Sequence, residues 1–187
     1  MRSTPSIAES NLETHYVTTI EQPSRTGHLI IDADDWGSDT PTTNRTLDCV
    51  TRHTVSSVSA MVFMQDSQRA ADLALQHGVD SGLHLNLSTA FTEAGVPAEL
   101  RERQRRLAVY LLGRKYAPAI YHPGLAASFE YVVRAQMEEY EHLYGRAPRR
   151  IDGHHHLHLS ANVQRRKLLP FGVMARRNFS LAPGEKV

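Results

Sequence analysis

The stretch RIDGHHHLHL at 150–159 places four histidines, His154, His155, His156 and His158, within five residues, just behind Asp152 and Gly153. Neutral imidazole ligates divalent metals and carries protons near neutral pH, so this density of it marks candidate chemistry. Acids gather in IIDADDWGSD at 30–39, as Asp32, Asp34, Asp35 and Asp39, and His84 stands in the alternating stretch GLHLNL at 82–87. Each group alone has an ordinary explanation, since paired aspartates cap turns and helices and single histidines pack into cores. Taken together, a carboxylate and two imidazoles make a competent divalent-metal site with positions left for water and substrate. If residues 154–158 are extended, His154, His156 and His158 share one face and His155 points away. At most two or three of the four then reach one ion, and the others hydrogen-bond to acids such as Asp152 or orient substrate. The neighbouring carboxylates Asp34 and Asp35 divide naturally into one ligand and one general base, as in a metal-assisted hydrolase of carbonyl or phosphoryl centres.

Groups so far apart in sequence need a scaffold that brings them to one place. Leu29, Ile30 and Ile31 read as a short strand stopping at the acids. A helix is expected over 42–52 and a second strand over 55–62. The segment 66–77 begins with an N-cap aspartate, carries a periodic Ala and Leu face, and meets Gly78, so it reads as a helix. GLHLNL reads as a third strand with His84 and Asn86 on one face and Leu83, Leu85 and Leu87 on the other. Helices are expected over 98–113 and 124–144, then a strand at 149–152, a helix over 161–169 and a strand at 171–175. Strands alternating with helices imply βα units, hence an α/β fold with a parallel sheet and helices on its outer face. In such sheets ligands gather at the carboxyl ends of strands, and three strand ends here carry the unusual polar residues.

Chain-wide properties narrow the function. With 187 residues, 41% of them hydrophobic and 22% charged, one domain over 28–187 is expected behind a flexible lead-in at 1–27. The formal net charge of +1 gives no bulk attraction for nucleic acid, and the basic runs RERQRR at 101–106 and VQRRK at 163–167 read as solvated helix faces. The single cysteine, Cys49, rules out an intrachain disulfide framework and multi-cysteine metal sites. No apolar stretch reaches membrane-spanning length and the N-terminus lacks an apolar signal core, so a cytoplasmic protein without a membrane span is expected.

IIDADDWG at 30–37, SSVSAMV at 56–62, GLHLNL at 82–87 and RIDGHHHLH at 150–158 together resemble the motifs of the YdjC-like carbohydrate deacetylases, in that family's order. The resemblance covers about 28–180. It implies a (β/α) barrel-like fold, a divalent metal, Mg2+ or Zn2+, a homodimer, and removal of N-acetyl groups from acetylated oligosaccharides such as chitooligosaccharides. Carried over motif by motif, it implies Asp35, His84 and His154 as metal ligands and Asp34 as the base that takes a proton from the attacking water. Trp36 would close one side of the site, Asp152 would orient a ligand imidazole, and His156 and His158 would contact substrate or support the ligands. Family members run longer, with further βα units, so the resemblance also implies a barrel incomplete at its C-terminus. Two alternatives follow: a hydrolase using the same residues on a phosphoester or another amide, and a metal- or sugar-binding remnant with impaired catalysis.

Overall fold

The structure, a computed structural model, describes residues 30–177; the expected lead-in at 1–27 lies outside them. Five parallel strands, β1 (Asp32–Trp36), β2 (Ser57–Ala60), β3 (Asp80–Leu85), β4 (Arg150–Gly153) and β5 (Met174–Ala175), form one sheet in sequential order. The crossovers carry helices α1 (Thr40–Thr51), α2 (Ser67–His77), α3 (Ala98–Gly113), α4 (Ala126–Tyr144) and α5 (Ala161–Arg165). Parallel strands added in one direction through right-handed crossovers put the helices on one side. The described strands leave β1 and β5 as open edges.

The two sheet faces have opposite chemistry. Val58, Ala60, Leu83, Leu85 and Ile151 are fully buried and join Leu107, Phe129, Val132 and Tyr140 of the helices in the apolar core. The side chains between them in sequence, Asp32, Ser57, Ser59, His84, Arg150 and Asp152, bond to one another across the other face. Period-two alternation sends neighbouring residues to opposite faces, so one short strand supplies both core and site.

This division explains where the first strand falls. The apolar run Leu29–Ile31 suggests a strand, yet β1 is the acidic DADDW, paired with β2 from Asp32 opposite Ser57. Ile30 and Ile31 stay exposed ahead of it. A strand whose inner face is polar gives no hydrophobic signal of its own, and the preceding isoleucines draw the assignment upstream. Elsewhere the expected elements are found within a few residues. Asp39 accepts from Thr42 N at 2.7 Å and starts α1 two residues earlier than expected, while Gly78, at φ 63°, ends α2. The expected helix over 161–169 is the short α5.

Two buried polar contacts fix the end of β3, where His84 stands. Gln136 on α4 accepts from Asn86 N at 2.8 Å and donates to Asn86 O at 3.0 Å, tying the residue just past the strand to a helix. The Asn86 side chain accepts from Ser88 N and Thr89 N, turning the chain away just past the site.

Candidate metal centre

Adjacent residues on a regular strand point to opposite faces, so Asp34 and Asp35 could not both reach one site from an unbroken β1. The strand is broken between them. Asp35 has φ 61°, the pairing with β2 shifts register between Ala33 and Trp36, and Gly37 follows at φ 87°. A left-handed residue inside a strand end is uncommon outside glycine, asparagine and aspartate, and such conformations collect at functional sites. Alternation already sets Asp34 on the face of Asp32, and the kink brings Asp35 to the His84 and His154 imidazoles.

Asp35 Oδ1 lies 3.0 Å from His154 Nδ1 and 3.2 Å from His84 Nε2. These three residues come from the ends of β1, β3 and β4 and offer ligand atoms within 4.8 Å of one another. Hydrogen bonding from His154, then from His84, holds the Asp35 carboxyl well below the usual carboxylate range. His84 is 3% exposed, and behind it Nδ1 donates to Asp152 Oδ1 at 2.6 Å, which leaves Nε2 aimed at Asp35. Burial opposes charge on this imidazole, but the bonds to Asp152 and Asp35 outweigh it and push His84 up to about 9. Asp152, also buried, stays ionised: burial alone would raise it, and the His84 bond and charge lower it.

Asp34 stands beside this cluster, half exposed, with both oxygens bound by Arg176 Nη1 at 2.8 and 3.0 Å. The other terminal nitrogen of Arg176 reaches Asp32 and lies 2.7 Å from Asp152 Oδ2. Asp34, His84 and Asp152 also converge closely enough to hold a cation, and there the arginine supplies the positive charge. Ser59 Oγ bridges at 2.6 Å to Asp32 and 2.7 Å to Asp152, donating its one proton to one acid at a time.

The histidine run is not extended. His155 and His156 both adopt φ near 57°, within a tight 3-10 segment over His154–Leu159. The alternation expected of an extended chain therefore fails. His155 turns back onto His154, ring centroids 4.1 Å apart, and its Nδ1 lies 3.2 Å from Ser88 Oγ. His156 is exposed. His158 is fully buried, with Nε2 donating to the Arg176 carbonyl at 2.8 Å. Gly153 makes room for that ring, because a Cβ there would lie 2.9 Å from His158 Nδ1.

Trp36 does not line the site. Beyond the kink its indole enters the core, fully buried, and donates to the Ala70 carbonyl of α2 at 3.0 Å. Sequence reasoning also missed His155, Ser88 and Arg176. The only sequence trace of Arg176 is a basic residue one place past an expected strand that ends near an acid cluster.

Comparison with known proteins adds three findings. The family described as YdjC-like protein matches residues 28–172. A carbohydrate deacetylase from Danio rerio is 28% identical over 157 residues, covering 80% of this chain and 49% of its own length. A chitooligosaccharide deacetylase from Yersinia pestis (strain Pestoides F) is 29% identical over 153 residues, covering 78% of this chain and 58% of its own. The chain thus spans about half the length of the curated relatives it matches. A solved structure from Enterococcus faecalis, named for cellobiose-phosphate cleavage, superimposes with a TM-score of 0.50 at 19% identity, over 78% of this chain and 65% of that one. That likeness speaks to the fold.

Proposed function

We propose that this chain, which belongs to the YdjC-like protein family, is a hydrolase that removes N-acetyl groups from carbohydrates with the help of a divalent metal. One observation carries the reading: Asp35, His84 and His154 converge from three separate strand ends, with Asp34 beside them. One carboxylate oxygen and two imidazole nitrogens suit a Zn2+ or Mg2+ site, zinc the better because two of three donors are nitrogen. The names of the Danio rerio and Yersinia relatives support an acetylated sugar, such as a chitooligosaccharide, as substrate.

In this reading Asp35, His84 and His154 hold the cation. When bound, it supplies Lewis acidity, making an amide carbonyl more electrophilic and water more acidic. Asp34 does not ligate; it stands at the rim, half exposed, and accepts a proton from the attacking water. Asp152 keeps the His84 Nδ1 proton in place, so that Nε2 faces Asp35. His155, tilted against His154 and exposed, would touch a sugar bound over the site.

The proposal extends to a cytoplasmic homodimer. Exposed Ile30 and Met174 at the two open edges support the dimer, and the single Cys49 fits a reducing compartment. No helix among the described residues is long and apolar enough to cross a membrane.

The test is acetate release from a panel of N-acetylglucosamine oligomers, with added zinc or magnesium and after chelation, alongside phosphate release from sugar phosphoesters. Acetate that disappears with the metal supports the reading. Phosphate without acetate refutes it, and saturable zinc binding with neither product identifies a metal-binding remnant.

A further inference from the structure

The histidine run ends on a residue that the proposed chemistry does not use, and the acid cluster holds an arginine that it does not explain. His158 is fully buried, yet among the described residues its ring makes one polar contact, to a backbone carbonyl, that of Arg176. Arg176 lies just past the two-residue strand β5, tied to β4 through its N–H on the Ile151 carbonyl at 3.1 Å. With its N–H held by Ile151 and its carbonyl by His158, the Arg176 backbone is fixed on both sides of the Cα from which the guanidinium starts. It ends among three carboxylates, Asp32, Asp34 and Asp152, and grips Asp34 by both oxygens.

We propose that Arg176, placed by His158, is a positioning residue. Its Nη1 holds both oxygens of the Asp34 carboxylate at the rim of the candidate metal centre, and its Nη2 joins that acid to Asp32 and to Asp152, the acid that orients His84. A planar guanidinium holds its two terminal nitrogens at a fixed spacing, one on Asp34 and the other on Asp32 and Asp152, where an ammonium offers a single point of charge. Asp34 lies on the outer side of a kinked strand end and is half exposed, so without this grip its side chain is free to swing into solvent. The same cation offsets the mutual repulsion of three acids, so that of the two candidate groups among the described residues it is Asp35 with its two histidines that suits a divalent ion. The role of Arg176 in turnover rests on the deacetylase reading, while its hold on the acids does not.

The experiment uses the full chain, with zinc alone as the metal probe and an N-acetylglucosamine oligomer as substrate. In Arg176→Ala, one zinc still binds, about tenfold tighter because a neighbouring positive charge is gone. The kcat falls about a hundredfold with KM within about twofold, since Asp34, the proton acceptor, loses its fixed position while substrate binding is kept. Added guanidinium ion restores part of that kcat, which a merely structural loss would not allow. Arg176→Lys keeps the charge and the fold but still loses about tenfold in kcat. His158→Leu also lowers kcat, and His158→Gln, which offers a similarly placed N–H, restores it.

Wild-type kcat in Arg176→Ala, or weaker zinc binding there, overturns the inference. If Arg176→Ala does not fold by circular dichroism, Arg176→Lys decides: unchanged kcat overturns, reduced kcat at unchanged zinc affinity supports. If the wild-type chain releases no acetate, the deacetylase reading fails, and zinc affinity in Arg176→Ala still decides whether the arginine governs the acids. NMR of the arginine side chains needs neither metal nor turnover. Resolved, slowly rotating Nη protons for Arg176 in wild type and His158→Gln, averaged in His158→Leu, support the proposal; averaged signals in wild type overturn it.

Discussion

In the metal-free protein His84 is a buried imidazolium held between two carboxylates, and this makes stability fall with pH in a defined window. An unfolded histidine titrates near 6.5, and His84 in the folded chain at about 9. Each tenfold step in proton affinity is worth about 1.4 kcal/mol, so proton binding by His84 stabilises the folded state by about 3 kcal/mol. The folded pKa is the higher one. The contribution is therefore complete below pH 6.5 and is lost as pH rises through 9, because between those values the folded state holds a proton that the unfolded state does not. His155 and His158 are shifted the other way, chiefly by burial, so their effect falls below pH 6.5 and leaves the window to His84. Zinc competes with the same proton at Nε2, so its apparent affinity should rise about tenfold from pH 7 to pH 8. The assay is urea unfolding of the chelated chain at half-unit steps from pH 6 to 9.5, with zinc titration calorimetry in buffers of different ionisation enthalpy to count released protons. Asp152→Asn should flatten most of the slope. A free energy of unfolding that is flat from pH 6.5 to 9, or zinc binding with no proton release, would refute the picture of His84 as a charged residue clamped by Asp152 and Asp35.

Other substitutions separate the parts of the site. Asp35→Asn should abolish stoichiometric zinc binding, measured by metal analysis after gel filtration, while Asp34→Asn keeps the zinc and loses about 10²- to 10⁴-fold in acetate release. Asp152→Asn should weaken zinc about 10- to 100-fold by freeing the His84 ring. On the other sheet face, Leu83→Ala should cost about 2–5 kcal/mol in urea unfolding at constant pH, through lost burial and a cavity, without changing zinc stoichiometry.

The parts of the site visible in the sequence were those whose residue types are unusual for their elements. His84 interrupts a leucine alternation, the acids follow an apolar run, and the histidine run stands behind an expected strand, so three strand ends could be nominated before any were seen together. Local backbone geometry was not legible, because nothing in ADDW or GHHHLH announces a positive φ at aspartate or histidine. Asp35 and His155 turn into the site through that geometry, Trp36 and His158 turn away from it, and the four placements differ from period-two reasoning for the same cause. Arg176 is not legible for another reason. Its significance depends on three acids from β1 and β4, and a contact spanning 142 residues from Asp34 leaves no trace in a local pattern. The basic run on α3 is solvated only in part: Glu99 and Glu102 pair with Arg103 and Arg105 on the surface, whereas Arg101 turns in to the carbonyls of Phe91, Glu93 and Val96 and Gln104 is buried. Tyr121 and His122 likewise pack, against Arg165 and with Tyr110 and Asn162.

The two-sided sheet also sets how this protein can change. In β4 the order Arg150, Ile151, Asp152, Gly153 alternates between the polar face and the helix-covered one, so a saturation scan along it should give two interleaved profiles. Changes at Ile151 should be read out as loss of soluble protein and rescued by a stabilised background. Changes at Asp152 should leave soluble, inactive protein that no stabilisation rescues. Selection for a new substrate can therefore work on one set of positions while selection for robustness works on the residues between them.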